Sequence, residues 1–292
     1  MLGVKLVQLS KITVLALCLN SSYFGFYAHA GFLDGLVAQG IRPKAISGSS
    51  AGALAAGLFA SGIPAPDIVT LLTRVDLNQI LQEWSVPVRA TKLMLNWPGI
   101  TGALRPGRAL SLLRKYVGDR KIEDCVNPRL AIGVTNLTTA RAENVTAGPL
   151  ADFMVASCAY PGLFAAHTID GQHYWDGGIA IPAPVEPWIR DPEIHTILIH
   201  QVLNCGEIRA HESGKTPTIF NAVGVSHQII GDEILRIQIE LARHCGKRVT
   251  VLRTVTPRAG LWRQKLGPKL VELGRATAFE LNDSLDVSPS ND

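Results

Sequence analysis

The stretch Ile46-Ser47-Gly48-Ser49-Ser50-Ala51-Gly52-Ala53-Leu54 sets a serine between two glycines at the entry to a run of small residues. Its centre, Gly48 to Gly52, is a G-x-S-x-G pentapeptide. Glycines two residues before and after the serine permit a strained backbone and close packing of a strand on a helix, so the Ser50 hydroxyl projects at the top of a sheet. A helix starting at the serine leaves its first amides unpaired, that of Ala51 among them, and turns its positive dipole end towards any oxyanion formed there. The same residues also fit a plain Gly/Ser connection, so the flanks must decide.

Lys11 to Leu19 forms a continuous apolar run, the pattern of a strand inside a parallel sheet covered on both faces. Asn20 to Phe26 is a turn, Tyr27 to Ala38 a helix closed by Gly40, Ile41 to Ile46 a second strand and Ala51 to Ser61 a second helix. Strand, helix, strand, helix is the start of a parallel α/β sheet, and it places Ser50 at the C-terminal edge of a strand, where sites in such sheets form. Further on, helices are expected at Asp67–Gln82, Arg108–Val117, around Ile219–His244 and at Lys265–Asn282, and strands at Arg129–Asn136, Ala142–Thr146, Thr196–Val202 and Val249–Val255. Trp84 to Pro106 has no clean period and several breakers. With Arg89, Lys92 and Arg105 among its apolar residues it reads either as a lid or lipid-contacting flap or as an irregular layer over the sheet. With no repeat, low-complexity tract or linker, one domain over 1–292 is expected, with its core at 12–185 and an extension at 186–292.

A second stretch carries chemistry: Ala156-Ser157-Cys158-Ala159-Tyr160-Pro161-Gly162-Leu163-Phe164, followed by Ile169-Asp170-Gly171-Gln172-His173-Tyr174-Trp175-Asp176-Gly177-Gly178. Asp170-Gly171 is a hairpin signal, and the hairpin delivers Asp176 into a turn of two glycines. A carboxylate on a turn without side chains can approach another backbone closely.

Among the 292 residues, 47% are hydrophobic and 18% charged, which marks a globular chain with a full core. Five scattered cysteines without C-x-x-C spacing argue against a disulfide framework or zinc site and for a reducing, cytoplasmic setting. The apolar run Val14–Leu19 is too short to span a bilayer and lacks the features of a signal peptide. From Arg243 to Arg275, nine Lys or Arg stand against one acid, Glu272, a segment suited to an anionic membrane surface, to a partner or simply to solvent. Nucleic acid is not indicated, because no binding motif accompanies the charge.

Together these segments resemble the patatin-like phospholipase family. The carriers are Gly48 to Gly52, the helix Ala28-His29-Ala30-Gly31-Phe32-Leu33, the Ala156 to Gly162 segment and Asp176-Gly177-Gly178, and the likeness runs roughly from Ile12 to Val185. It implies a three-layer α/β/α fold with a mainly parallel central sheet. It further implies hydrolysis of acyl esters, with lipid as substrate, Ser50 as nucleophile and Asp176 as its base. It also implies an oxyanion loop after the first strand, which falls here on Asn20 to Gly25, so Ser21, Ser22, Tyr23 and Gly25 join Ala51 as expected oxyanion or substrate contacts. The family's G-G-G-x-R/K-G loop is reduced to a single glycine without a basic residue, and Ile179-Ala180-Ile181-Pro182 stands where the family often has asparagines.

A serine hydroxyl is a weak nucleophile until a base takes its proton, and a carboxylate can do so without an intervening imidazole. Such a dyad needs no metal or other cofactor, so calcium independence is expected. Two other readings stay open: a Ser-His-Asp hydrolase using His195, His200, His211, His227 or His244, and a silent lipid-binding or scaffolding relative with a degenerate oxyanion loop. His29 reads as a packing or helix-surface residue. The sequence sets neither the lipid, the position cleaved nor the oligomeric state.

Overall fold

The computed structural model describes residues 15–81, 83–204, 219–257 and 261–285. The chain opens with β1 (Leu15–Leu19), α1 (Phe26–Ala38), β2 (Ala45–Ser49), α2 (Ala51–Ala60), α3 (Ala65–Arg74), α4 (Asn78–Leu81) and α5 (Val86–Met94). It continues through β3 (Gly102–Leu104), α6 (Gly107–Val117), β4 (Arg129–Asn136), β5 (Arg141–Val145), α7 (Leu150–Ser157), β6 (Gly162–Phe164), β7 (His167–Ile169) and β8 (Gln172–Asp176). The last part holds α8 (Glu186–Ile189), β9 (Thr196–Asn204), α9 (Ile219–His244), β10 (Arg248–Thr256) and α10 (Gly267–Leu285). Lys11 to Val14 of the expected first strand lie outside the described residues, as does His211.

One sheet runs in the order β10-β9-β1-β2-β4-β8-β7, with β5 also paired to β4. Its first five strands are parallel, and β5, β7 and β8 are antiparallel to their neighbours. The side-chain period of two divides the core. Leu15, Leu17 and Leu19 of β1 face one cluster, with Phe32, Leu36, Leu58 and Val271 from the helices of that side. Ala16 and Cys18 face the other, with Ala45, Ala131, Trp188, Ile199, Leu235 and Ala242. Helices on both faces of a mostly parallel sheet are the α/β/α layering expected. The extension is part of the same sheet, since β9 pairs with β1 along Leu15↔Thr196 to Leu19↔His200.

Three expectations are corrected. The second strand is Ala45–Ser49 rather than Ile41–Ile46. Pro43 is followed by a segment that gains its strand form by pairing with β1 and β4 on either side, which outweighs the weak strand preference of Ala, Ser and Gly. The helix expected over Asp67–Gln82 ends at Arg74; Val75 is extended, and the Asp76 carboxylate takes the Asn78 N–H to start α4. Within Trp84 to Pro106, α5 has no buried residue and so does not act as a covering layer; Arg89 donates to the Gly102 and Ala103 carbonyls and ties it to β3.

Candidate active site

Ser50 follows the last residue of β2 and precedes α2, with φ 53° and ψ −119°, a strained conformation for a residue with a side chain. The flanking glycines make that turn possible. A Cβ on Gly48 would stand 2.3 Å from the Gly52 carbonyl carbon, and one on Gly52 would stand 2.3 Å from the Leu19 oxygen. The Ser50 N–H donates to Ser157 Oγ at 2.8 Å, and Ser157 Oγ donates in turn to the Gly133 carbonyl at 2.7 Å. The Cys158 thiol donates to the Ser50 carbonyl at 3.2 Å. Ser157 and Cys158 thus hold both sides of the Ser50 peptide from the C-terminal end of α7. Their roles were not visible in the sequence, although the Ala156 to Gly162 segment marked their place.

Sheet register brings Asp176 to the serine. Ser49 pairs with Gly133 on β4, and the next β4 residue, Val134, pairs with Asp176 at the end of β8. Ser50 Oγ donates to Asp176 Oδ2 at 2.7 Å, and the Gly178 N–H donates to Oδ1 at 2.7 Å. Gly177 permits the contact, because a Cβ there would meet the Gly133 oxygen at 2.0 Å; one on Gly178 would meet Ser21 Cβ at 2.5 Å. Burial pushes the Asp176 carboxyl up from 3.8 to about 7, while the hydrogen bonds from Ser50 and Gly178 pull it down. Burial, with the charge of Asp176 adding to it, raises the Cys158 thiol well above its usual range, so it is not an activated thiolate.

The Asn20 to Gly25 loop is pinned at its start. The Asn20 carbonyl accepts from His29 Nε2 at 2.9 Å, its N–H donates to the His200 carbonyl at 3.2 Å, and its Oδ1 accepts the Val202 N–H at 2.9 Å. Ser21, Ser22, Tyr23 and Ala51 all line the cavity above Ser50, but Gly25 does not. Gly25 instead caps α1 beneath Ser22, where a Cβ would fall 1.8 Å from Ser22 Oγ. The Ser21 N–H is spent on the Pro182 carbonyl at 2.7 Å, so the Ile179 to Pro182 segment has a part in shaping this loop. Among the described residues, the N–H groups of Ser22, Tyr23 and Ala51 enter no hydrogen bond, and Ser22 Oγ is buried without a partner. Phe24 takes the left-handed turn at φ 56°, and Tyr23 stacks edge-on against it.

Above the serine lies a cavity of about 630 Å³, walled by leucines such as Leu54 and Leu58 of α2, Leu71 and Leu72 of α3 and Leu112 and Leu113 of α6. Gln201, Asn204, Gln228 and Asp232 also line it. Both oxygens of Asp176 are taken by Ser50 and Gly178, and neither bonds a histidine among the described residues. His200 is instead fully buried, with Nδ1 2.9 Å from His29 Nδ1, Nε2 2.8 Å from Thr254 Oγ1 and Phe32 stacked on its ring. His29 is therefore a packing residue rather than a helix-surface one.

Uncharacterized NTE family proteins of Mycobacterium tuberculosis and Mycobacterium bovis are 34% identical to this chain over 175 residues, covering 59% of it. The chain spans 44% of the length of these curated relatives. In fold it is similar to VipD from Legionella pneumophila, with a TM-score of 0.50 at 15% identity over 93% of this chain and 67% of that one. The patatin-like phospholipase family model matches residues 17–189, which run from β1 through the Ser50 turn and Asp176 to the end of α8. With more than half of its length matched in this way, the chain belongs to the patatin-like phospholipase family.

Proposed function

We propose that the protein is a serine acyl hydrolase that cleaves carboxylic esters of lipids through an acyl-Ser50 intermediate, with Asp176 as the base. The observation that carries this reading is the 2.7 Å bond from Ser50 Oγ to a buried Asp176 carboxylate at the floor of an apolar cavity. Ser50 Oγ attacks the ester carbonyl carbon as its proton passes to Asp176 Oδ2. The tetrahedral oxyanion is received by the Ala51 N–H at the start of α2 and by the free amides of Ser22 and Tyr23. The carbon–oxygen bond of the ester then breaks, and the alcohol leaves with the proton from Asp176. Water attacks the acyl carbon as its proton passes to Asp176, and Asp176 hands that proton to Ser50 Oγ as the acyl–serine bond breaks, which frees the carboxylic acid and restores Ser50 and the Asp176 carboxylate. A base that titrates near 7 suits both directions of proton transfer at neutral pH. The leucine-lined cavity suits a hydrocarbon acyl chain.

The test is labelling of the purified full chain with a fluorophosphonate, followed by peptide mapping. Label is expected on Ser50, absent in Ser50→Ala and slowed about 10²- to 10⁴-fold in Asp176→Asn. A folded wild type that takes no label would overturn the enzymatic reading and leave a lipid-binding relative.

A further inference from the structure

From Trp84 to Gly118 the chain carries six Lys or Arg and no Asp or Glu. Within its first half, several large apolar residues face solvent, whereas Leu104, Leu113 and Val117 are buried. Trp84 and Met94 are each 88% exposed, Leu95 69% and Trp97 and Val88 55%. Water is a poor surrounding for so many apolar side chains on one short helix and its flanks, and such patches mark contact surfaces. The patch is also joined to the cavity. Helix α5 is tied to β3, and β3 pairs with β6, whose Leu163 and Phe164 line the cavity. Leu93 of α5 reaches towards Gly162. Later in the same run, Leu112, Leu113 and Tyr116 of α6 form part of the cavity wall itself. Tyr23, Tyr116 and Tyr160, all lining the cavity, are 43–46% exposed.

We propose that the surface formed by Trp84, α5, Met94 to Trp97 and the basic residues of this run docks on an anionic phospholipid bilayer and sets the cavity mouth against the lipid. This rests on the acyl hydrolase reading for its purpose and on the exposed surface alone for its physics. Tryptophan, methionine and leucine enter the boundary between headgroups and acyl chains, while Lys and Arg stay with the phosphates. Lys92 lies over the Trp97 ring at 5.5 Å, where it places a cation beside an interfacial aromatic. No acid falls within the run itself; Glu83 beside it pairs with Arg105 and Asp152 pairs with Arg114, which leaves Lys92 and the exposed Lys115 to meet anionic headgroups.

Partitioning of the full chain carrying Ser50→Ala, which leaves the lipid intact, should be measured on vesicles of phosphatidylcholine with and without phosphatidylglycerol. Strong binding is expected only with phosphatidylglycerol, together with quenching of tryptophan emission by brominated acyl chains. Adding Trp84→Ser, Met94→Ser and Leu95→Ser should lower the partition coefficient at least tenfold. Lys92→Ser with Lys115→Ser should lower it about tenfold on anionic vesicles alone. The same changes made with Ser50 intact should leave fluorophosphonate labelling unaltered, since none of these residues lines the cavity. Equal binding by the triple-serine variant would overturn the proposal. So would a vesicle-inert protein whose mass falls from dimer to monomer in that variant, which would assign the patch to a second copy. Vesicle binding without labelling removes the enzymatic reading and keeps the surface, whereas labelling without vesicle binding does the reverse.

Discussion

Asp176 is 4% exposed, accepts hydrogen bonds from the Ser50 hydroxyl and the Gly178 amide, and among the described residues has no cation paired with it. Burial of a lone carboxylate favours its neutral form, which is why the group titrates at about 7 rather than 3.8. As a base it must be ionised, so the rate of labelling and of ester cleavage is expected to rise with pH through an apparent pKa of about 7. A rate that stays flat from pH 5 to 9 would remove Asp176 from the role. The same shift has a cost in stability. A carboxyl whose folded pKa is raised contributes stability that is complete below its unfolded value and gone once the pH has passed through its folded value. Asp176→Asn keeps the shape and never ionises, so its melting temperature should match wild type near pH 4 and exceed it from pH 7 upward. The gap corresponds to as much as about 4 kcal/mol, and thermal unfolding across that range measures it. The two glycine-flanked turns that carry these residues were legible in the sequence, while the pairing of Asp176 with Ser50 came from the family resemblance and not from the glycines. The pKa was not legible, since it depends on what is packed around the carboxylate.

At the scale of elements, the turn after β1 is shaped by a chain of buried polar groups linking α1, β9, β10 and α10. His29 on α1 bonds the Asn20 carbonyl and His200 on β9, His200 bonds Thr254 on β10, and Thr254 bonds Thr277 on α10. Burial holds both imidazoles well below their usual pKa, and thus neutral at pH 7. With His29 Nε2–H donating to Asn20, neutral His29 Nδ1 accepts from His200 Nδ1–H, and His200 Nε2 lies 2.8 Å from Thr254 Oγ1. His29→Ala leaves the Asn20 carbonyl and a His200 nitrogen unpaired, at about 1–3 kcal/mol each. Urea unfolding should show a loss of about 2–6 kcal/mol, and a variant as stable as wild type would contradict the chain. Labelling should slow as well, because the freed Asn20 carbonyl loosens the start of the proposed oxyanion loop. His29→Gln, which can still donate to Asn20, should recover part of both losses. In the sequence His29 and His200 stand 171 residues apart with no common motif, so their partnership was not legible. The strand Arg129–Asn136 was, because its continuous apolar run from Leu130 to Val134 is local. The short β2 was displaced in the sequence reading for the opposite reason, since its pairing partners rather than its residues make it a strand.

Across the whole molecule, the family match ends at residue 189, yet the sheet does not. β9 covers the free edge of β1, and Leu270, Val271, Ala278 and Leu281 of α10 close one core cluster while Leu235 and Ala242 of α9 close the other. Helices α1 and α10 cross at Gly31 and Gly274, where a Cβ would stand about 2 Å from the opposing backbone. A piece ending at residue 189 is therefore expected to be unfolded or aggregated. Each large apolar side chain it uncovers forfeits about 1.5–3 kcal/mol, which quickly exceeds the stability of a typical domain. A soluble piece with a cooperative melt and Ser50 labelling would show instead that the matched region stands alone.

By itself the sequence determined the strand–helix rhythm that makes a parallel sheet, the Ser50 turn at the end of its second strand and the glycine-flanked Asp176 turn. These depend on backbone freedom, side-chain period and turn chemistry, which act over a few residues. Only the tertiary structure decided that Ser157 takes the Ser50 amide, that Pro182 takes the Ser21 amide, that Gly25 lies outside the cavity, and that leucines from three helices wall it. Those outcomes depend on which groups a folded sheet brings within about 3 Å of one another, and partners more than a hundred residues apart leave no periodic trace in the chain.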